Sequence, residues 1–191
     1  MTKTNLKFSG IVVTRRREAV EMKFLVHGHA EIEKEVELLE KALFSLRYEG
    51  KNAWGRNLGQ IHRAVGFFNE KLVKHMTMEE EVLFPFLERY VPKLESLIGA
   101  LRSEHEELRQ HLNVLQSLFQ KFSKRKRDAY ALKSIEMLKE AGIYWIYLLK
   151  VHVHNENTSV YQAVSKELRD SERRALARQI RNYQCCDYCG I

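Results

Sequence analysis

The chain has 191 residues, of which 45% are hydrophobic and 30% are charged, and its formal net charge is +7 at neutral pH. This length suits one domain with a buried core, and the composition is ordinary for a soluble protein and favours helix throughout. The longest apolar run, Ile143 to Leu149, falls far short of the roughly 20 residues that a transmembrane helix needs. With no signal-peptide pattern at the start, a cytoplasmic location is expected and membrane partners are not.

Two basic clusters supply much of the positive charge. They are Arg15-Arg16-Arg17 and Lys124-Arg125-Lys126-Arg127. A basic surface can bind nucleic acid or an anionic membrane. Neither cluster lies in a helix-turn-helix or zinc-finger pattern, so solvated surface is the simpler interpretation. A basic bundle that binds nucleic acid is kept only as an alternative.

Helical periodicity dominates the chain. Residues 1–13 are expected to form an extended lead, and from Thr14 to about Arg47 apolar residues recur at steps of three and four, which predicts an amphipathic helix. Three further segments repeat this pattern: about residues 53–90, 93–122 and 128–167. After them, Asp170 and the residues that follow can cap a short fifth helix that reaches Asn182.

The predicted fold is all-α. Four long helices with short connections pack most simply as an antiparallel up-and-down four-helix bundle, expected over residues 14–168. Residues 169–191 are then a short C-terminal helix and a cysteine-containing tail.

Each of the four apolar stripes carries one histidine near the middle of its helix. These are His29, His75, His105 and His152. A single core histidine usually has a structural role with a hydrogen-bond partner. Four that can meet at one level inside a bundle predict a metal site instead.

Two glutamates extend this set. Glu79 follows His75 by four residues and Glu156 follows His152 by four, so each pair lies on one helical face and offers two donors from one rigid element. Six donors are too many for one zinc ion, which takes four. Two carboxylates that can bridge, with four imidazoles, suit a pair of redox-active ions, with iron expected first and manganese or zinc as alternatives. A bridging oxo or hydroxo group would offset the positive charge of such a centre.

These motifs resemble the hemerythrin-like (HHE) domain family over about residues 18–165. The matching segments are Gly28-His29-Ala-Glu-Ile32, His75-x-x-x-Glu79-Glu-Glu-Val-Leu-Phe-Pro85, Glu104-His105-Glu-Glu-Leu108 and His152-x-x-x-Glu156. The resemblance implies a non-haem di-iron centre in an antiparallel bundle. It also implies that the four histidines are terminal ligands and that Glu79 and Glu156 are bridges.

The chain departs from the oxygen-carrying hemerythrins at two positions. Those proteins have a second histidine one turn after the ligand of the third helix, where this chain has Arg109, and an aspartate five residues after the last histidine, where it has Glu156 at a spacing of four. Fewer imidazoles leave more open coordination positions, which favours a sensor or redox role. The expected function is binding or sensing of O2, NO, or cellular iron and redox state. The alternative is a di-iron enzyme that reduces peroxide or NO, or acts in iron–sulfur cluster repair, with electrons from a partner protein.

Other candidate donors are weaker. Glu33 follows His29 by four residues and could supply a seventh ligand, although a surface glutamate is the simpler interpretation. Four further histidines are out of phase with the stripes: His27, His62, His111 and His154. Of these, His111 is kept as a possible hydrogen-bond donor behind the ligands.

The three cysteines, Cys185, Cys186 and Cys189, lie in the last seven residues, so the body of the chain contains no disulfide, as expected in a reducing compartment. Cys186 to Gly190 resembles one knuckle of a rubredoxin or zinc ribbon, which is half of a four-thiolate site. A metal shared by two chains, a redox-active thiol pair and a disordered tail all remain open.

Overall fold

A computed structural model describes residues 9–125 and 131–188 of the chain, with side chains described over residues 28–50, 52–123 and 132–184. These residues form five continuous helices and, within the described ranges, no strand, so the predicted all-α class is confirmed. The helices are α1 (Ser9–Tyr48), α2 (residues 54–90), α3 (Glu95–Arg125), α4 (residues 131–166) and α5 (Asp170–Tyr188). Short 3-10 turns, Lys51–Ala53 and Pro92–Leu94, lead into α2 and α3.

Two of the helices change their winding partway along. The α-helical parts of α2 are Trp54–Phe67, Val73–Met78 and Phe84–Tyr90, separated by π-helical turns at Phe68–Leu72 and Glu79–Leu83. In α4, the α-helical parts are Ala131–Asn155 and Tyr161–Lys166, with a π-helical turn at Glu156–Val160 between them. The apolar periodicity did not predict these turns.

The helices form a bundle around a core in two parts. Helix α1 packs against α2 and α4, α3 packs against α4 and α2, and α5 packs against α1 and the Glu79–Leu83 turn. One apolar cluster, which includes Leu108, fills the space among α1 to α4, and a second, which includes Leu101, fills the end that α5 covers. On α3, His105 therefore lies between the residues of the two clusters, which marks the level of a buried polar layer.

The ends of the chain differ from the predicted boundaries. Helix α1 begins at Ser9 rather than Thr14, because the β-branched run from Ile11 to Val13, which suggested extended chain, lowers helix propensity by only a fraction of a kcal/mol per residue, roughly 0.5. Residues 1–8 lie outside the described residues.

Helix α5 continues to Tyr188, beyond the predicted end at Asn182. The backbone at Cys185 and Cys186 is therefore helical, whereas Cys189 and the rest of the predicted tail lie outside the described residues. No helix in the described ranges is both long enough and apolar enough to cross a bilayer.

Candidate metal centre

The six side chains that the sequence singled out lie together in the polar layer of the bundle. They are His29 on α1, His75 and Glu79 on α2, His105 on α3, and His152 and Glu156 on α4. All are buried except His75, whose side chain is 11% exposed. They form two groups of four: His29 and His75 with both glutamates, and His105 and His152 with the same two glutamates. Within each group, one donor atom from every residue lies within 4.8 Å of all the others.

Each glutamate presents one oxygen to each histidine pair. For Glu79, Oε1 lies 3.2 Å from His75 Nε2 and Oε2 lies 3.7 Å from His105 Nε2. For Glu156, Oε2 lies 3.1 Å from His29 Nε2 and Oε1 lies 3.3 Å from His152 Nε2. Carboxylates arranged in this way can connect two ions, one at each histidine pair.

The two rings of each histidine pair are close enough to share a proton or a metal ion between their Nε2 atoms. The Nε2 atoms of His29 and His75 lie 3.0 Å apart, and those of His105 and His152 lie 3.1 Å apart. Two nitrogens that face each other at this distance repel unless a proton or a metal ion lies between them. A cation shared by each pair satisfies both rings.

The buried carboxylates also lack partners that a cation would supply. Glu79 Oε2 and both carboxylate oxygens of Glu156 accept no hydrogen bond from any described residue. Burial acts to raise the pKa of Glu156, but the neighbouring histidines outweigh it and hold that pKa well below its ordinary value, so the group stays ionised. An ionised carboxylate without hydrogen bonds in an apolar interior is costly unless it binds a metal ion. The donor set therefore fits a metal centre.

Two of the three π-helical turns described above begin at these glutamates. The Phe84 N–H donates to the carbonyl of Glu79, and the Tyr161 N–H donates to the carbonyl of Glu156, five residues earlier in each case. In a regular α-helix a residue five positions on points about 140° away. The π turn brings these aromatic rings back towards the site, and such turns are frequent at functional sites.

Both aromatic rings pack on ligand candidates. Phe84 stacks on His105 with ring centroids 5.5 Å apart, and the Tyr161 ring lies 5.0 Å from His29. The Tyr161 hydroxyl donates to Glu79 Oε1 at 2.6 Å. The sequence shows an aromatic residue five positions after each glutamate, Phe84 and Tyr161, but this recurrence alone predicted no role for the Tyr161 hydroxyl.

Three of the histidines make a hydrogen bond through Nδ1, the nitrogen that points away from the centre. His105 Nδ1 lies 2.7 Å from Glu80, His152 Nδ1 lies 2.8 Å from Glu104, and His29 Nδ1 lies 3.0 Å from the side-chain oxygen of Asn157. Such partners set the orientation of a ligand ring and which nitrogen carries the proton. These partners were also missed, because a helical stripe does not show which side chains meet from neighbouring helices.

Arg109 acts through one of these partners. Its two terminal nitrogens each donate to one oxygen of Glu80 at 2.9 Å, a bidentate pair that holds the carboxylate against His105. Arg109, where the sequence has no histidine to offer as a further ligand, therefore holds Glu80 in place without being a ligand candidate itself.

The other candidates lie apart from the centre. The two groups of donors do not include Glu33, His62, His111 or His154. Glu33 is exposed, and the exposed ring of His62 stacks on Phe119. His111 lies near Glu107 and Tyr144, away from the ligand candidates. The side chain of His27 lies outside the described residues.

Protons and metal compete for His152. Burial acts to lower its pKa, but the hydrogen bond to Glu104 and the nearby carboxylates of Glu156 and Glu79 outweigh burial and raise the pKa to about 10 in the metal-free protein. A metal ion must displace that proton, so we expect metal affinity to rise by at least about tenfold per pH unit between pH 6 and 8. Calorimetric titration in buffers of different ionisation enthalpy measures both the affinity and the protons released. Affinity that does not change with pH would contradict this assignment.

Gly28 leaves room for the ring of His75, because it has no side chain. A Cβ atom at Gly28 would lie 3.3 Å from His75 Nδ1, so the ring packs directly on the backbone of α1. Gly28→Ala should push the ring by a few tenths of an ångström and weaken metal binding about tenfold, while it stabilises the metal-free helix by about 1 kcal/mol.

Gly66→Ala is the matched control, because its Cβ would meet nothing within 4 Å. It should stabilise the metal-free protein to a similar degree and leave metal affinity unchanged. Metal titrations and urea unfolding of both variants measure the two effects. Equal metal affinity in the two variants would show that Gly28 does not position His75.

A comparison with known families agrees with this geometry. A family model described as the hemerythrin HHE cation-binding domain matches residues 21–164, which is most of the chain and includes all six candidate ligands. No curated protein matches the chain.

Proposed function

The chain belongs to the hemerythrin HHE cation-binding domain family, and from this premise we propose that it is a non-haem di-iron protein that binds or senses O2, NO, or cellular iron and redox state. The observation that carries the proposal is that two groups of donors share Glu79 and Glu156. In this arrangement His29 and His75 would hold one ion, His105 and His152 would hold the other, and both positions would share Glu79 and Glu156.

The donor chemistry favours iron. Imidazole and carboxylate ligands in equal measure around each position suit iron or manganese, and the absence of thiolates from the two groups argues against a structural zinc site. Two divalent ions and two carboxylates leave a net positive charge that an anionic bridging group can offset. When bound, a di-iron pair supplies one-electron redox chemistry and open coordination positions for a small ligand.

Protein groups around the centre control water and protons. Burial and the nearby carboxylates Glu79 and Glu156 raise the pKa of Tyr161 well above its ordinary value, so its hydroxyl keeps its proton. That hydroxyl lies 2.6 Å from Glu79 Oε1 and 3.2 Å from His29 Nε2, where it can donate a hydrogen bond to a ligand in the site. Fully buried apolar residues lie on both sides of the polar layer, such as Met76 on one side and Leu83 on the other.

The same hydroxyl favours a second candidate function. A di-iron enzyme that reduces peroxide or NO, or acts in iron–sulfur cluster repair, needs a proton source beside the reacting ligand. Tyr161 is a buried group with a proton at that place. Electrons in this case come from a partner protein, because the sequence contains no nucleotide or flavin signature.

One experiment separates the two functions. The reduced, iron-loaded protein is mixed anaerobically with O2, NO and peroxide in turn, while the optical spectrum and the products are followed. A binding or sensing protein gives a stable ligated spectrum without turnover, whereas an enzyme consumes many equivalents of peroxide or NO with a reductant present. Tyr161→Phe removes only the hydroxyl and should shorten the life of the ligated form or slow turnover. No response to any of the three would contradict both functions.

We also propose the finer arrangement of the fold, an antiparallel up-and-down four-helix bundle made by α1 to α4. Support comes from the short connections: α1 ends at Tyr48 and the next turn begins at Lys51, with Gly50 at a φ of 77° that favours glycine. Spin-label distances between the two ends of α1 and of α2 test the helix directions. The cytoplasmic location stays a prediction.

A further inference from the structure

The four histidines differ in what lies behind them. His105 and His152 each have a carboxylate on Nδ1, from Glu80 and Glu104. His29 has only the neutral amide oxygen of Asn157. The Nδ1 side of His75 faces the backbone at Gly28, where a Cβ would lie 3.3 Å away.

A carboxylate behind a ligand imidazole strengthens the ligand. It accepts a hydrogen bond from the Nδ1–H group, which makes the ring more electron-rich and Nε2 a stronger ligand for a metal ion. Both carboxylates are held in place, Glu80 by the two hydrogen bonds from Arg109 and Glu104 by a hydrogen bond from Asn155 at 3.2 Å. The position at His105 and His152 therefore has two ligands strengthened in this way. At the other position, neither His29 nor His75 has a carboxylate behind it.

The position at His29 and His75 is also the one that solvent can approach. A cavity of about 530 Å³ opens onto His75, lined also by Gly28, Met78 and, from α5, Tyr183. A second cavity of about 360 Å³ reaches Asn157, the partner of His29. Neither cavity is lined by His105, His152 or the glutamates behind them. The side chain of His75 is 11% exposed, whereas that of His105 is 0% exposed.

The charges that line the first cavity do not repel a cation. Glu31 and Glu70 line it together with Lys71 and Lys74, so its wall carries both signs of charge and presents no single-sign barrier. His75 is the ligand candidate that an entering ion meets there.

We propose that the two metal positions are inequivalent: the position at His105 and His152 retains its ion, and the position at His29 and His75 exchanges its ion with solvent through the adjoining cavities. Glu80 and Glu104 are the positioning residues that create the difference. This inference rests on the proposed two-metal function.

Release of ferrous iron to a coloured chelator under anaerobic conditions tests the proposal. The wild-type protein loaded with ferrous iron should release two ions per chain in two phases of equal amplitude. Glu80→Gln and Glu104→Gln each replace the carboxylate by a neutral amide of the same size. They should speed the slow phase by about 10- to 100-fold and leave the fast phase nearly unchanged.

Asn157→Asp is the reciprocal variant, because it places a carboxylate behind His29, and it should slow the fast phase. Circular dichroism verifies that each variant keeps its helices. Binding of fewer than two ions by the wild type would defeat the two-metal function itself. Two ions released in a single phase, or glutamine variants that speed both phases equally, would leave that function standing and overturn the inequivalence.

Discussion

Replacing Glu79 with alanine is expected to remove both metal ions from the protein while the helices remain. Glu79 belongs to both groups of donors and presents one oxygen to each histidine pair, so its loss takes a ligand from both positions. The loss of affinity should exceed the roughly 10- to 100-fold typical of residues behind a ligand. Glu156→Ala should behave in the same way, since Glu156 makes the equivalent contacts.

The apolar clusters on both sides of the polar layer explain why the fold should survive. Neither cluster contains the glutamates, and residues such as Phe68 and Trp145 stay packed. Iron content by elemental analysis and helix content by circular dichroism measure the two effects. Glu33→Ala is the control, because Glu33 follows His29 by four residues but is exposed and belongs to neither group. His62→Ala and His154→Ala should also keep both ions. Retention of two ions by Glu79→Ala would refute the bridging role.

Removal of the metal should lower the melting temperature by on the order of 10 °C. An ion that binds only the folded state at a thousandfold excess over its dissociation constant stabilises that state by about 4 kcal/mol. For a chain of this length, each kcal/mol shifts the melting temperature by about 2–4 °C. Without the ion, Glu156 keeps an ionised carboxylate in the core with no hydrogen bond from a described residue.

The stability of the metal-free protein should depend on pH, because the buried groups His152 and Glu156 have shifted pKa values in the folded state. The folded state raises the pKa of His152 to about 10, so the stability that this proton contributes is complete below about pH 6.5 and is lost as the pH rises towards 10. At acidic pH, the lowered pKa of Glu156 has the corresponding effect: the stability that its ionised carboxylate contributes is lost as the pH falls below about 4.5.

Calorimetric unfolding of the metal-free and metal-loaded proteins at pH 6 and pH 9 measures this difference. The gap between the two forms should widen at pH 9, because only the metal-free form depends on the proton at His152. Equal melting temperatures for the two forms at both pH values would show that the polar layer does not need a metal ion for stability.

Much of the architecture follows from local patterns. Apolar residues at steps of three and four commit each segment to a helix whose stripe must be buried, and this alone indicates an all-α chain. The spacing of four in His75-x-x-x-Glu79 and in His152-x-x-x-Glu156 puts both members of each pair on one face, so the structure brings all six candidates together as their phases require.

The features that the sequence did not predict depend on contacts between helices or on small backbone energies. A π-helical turn at Glu79 or Glu156 uses the same residue types as an α-helix, so the residue composition does not predict it. Glu80 and Glu104 are ordinary glutamates in an acidic helix until the packing of α2, α3 and α4 sets them against His105 and His152. Arg109 shows the same limit, since its contact with Glu80 joins α3 to α2.

The most direct measurement is the metal content of the protein purified from iron-supplemented cells, determined by elemental analysis on chains counted by amino-acid analysis. Two groups of donors that share Glu79 and Glu156 predict close to two irons per chain. A protein that holds a single zinc ion, with no iron, would contradict the proposed di-iron centre.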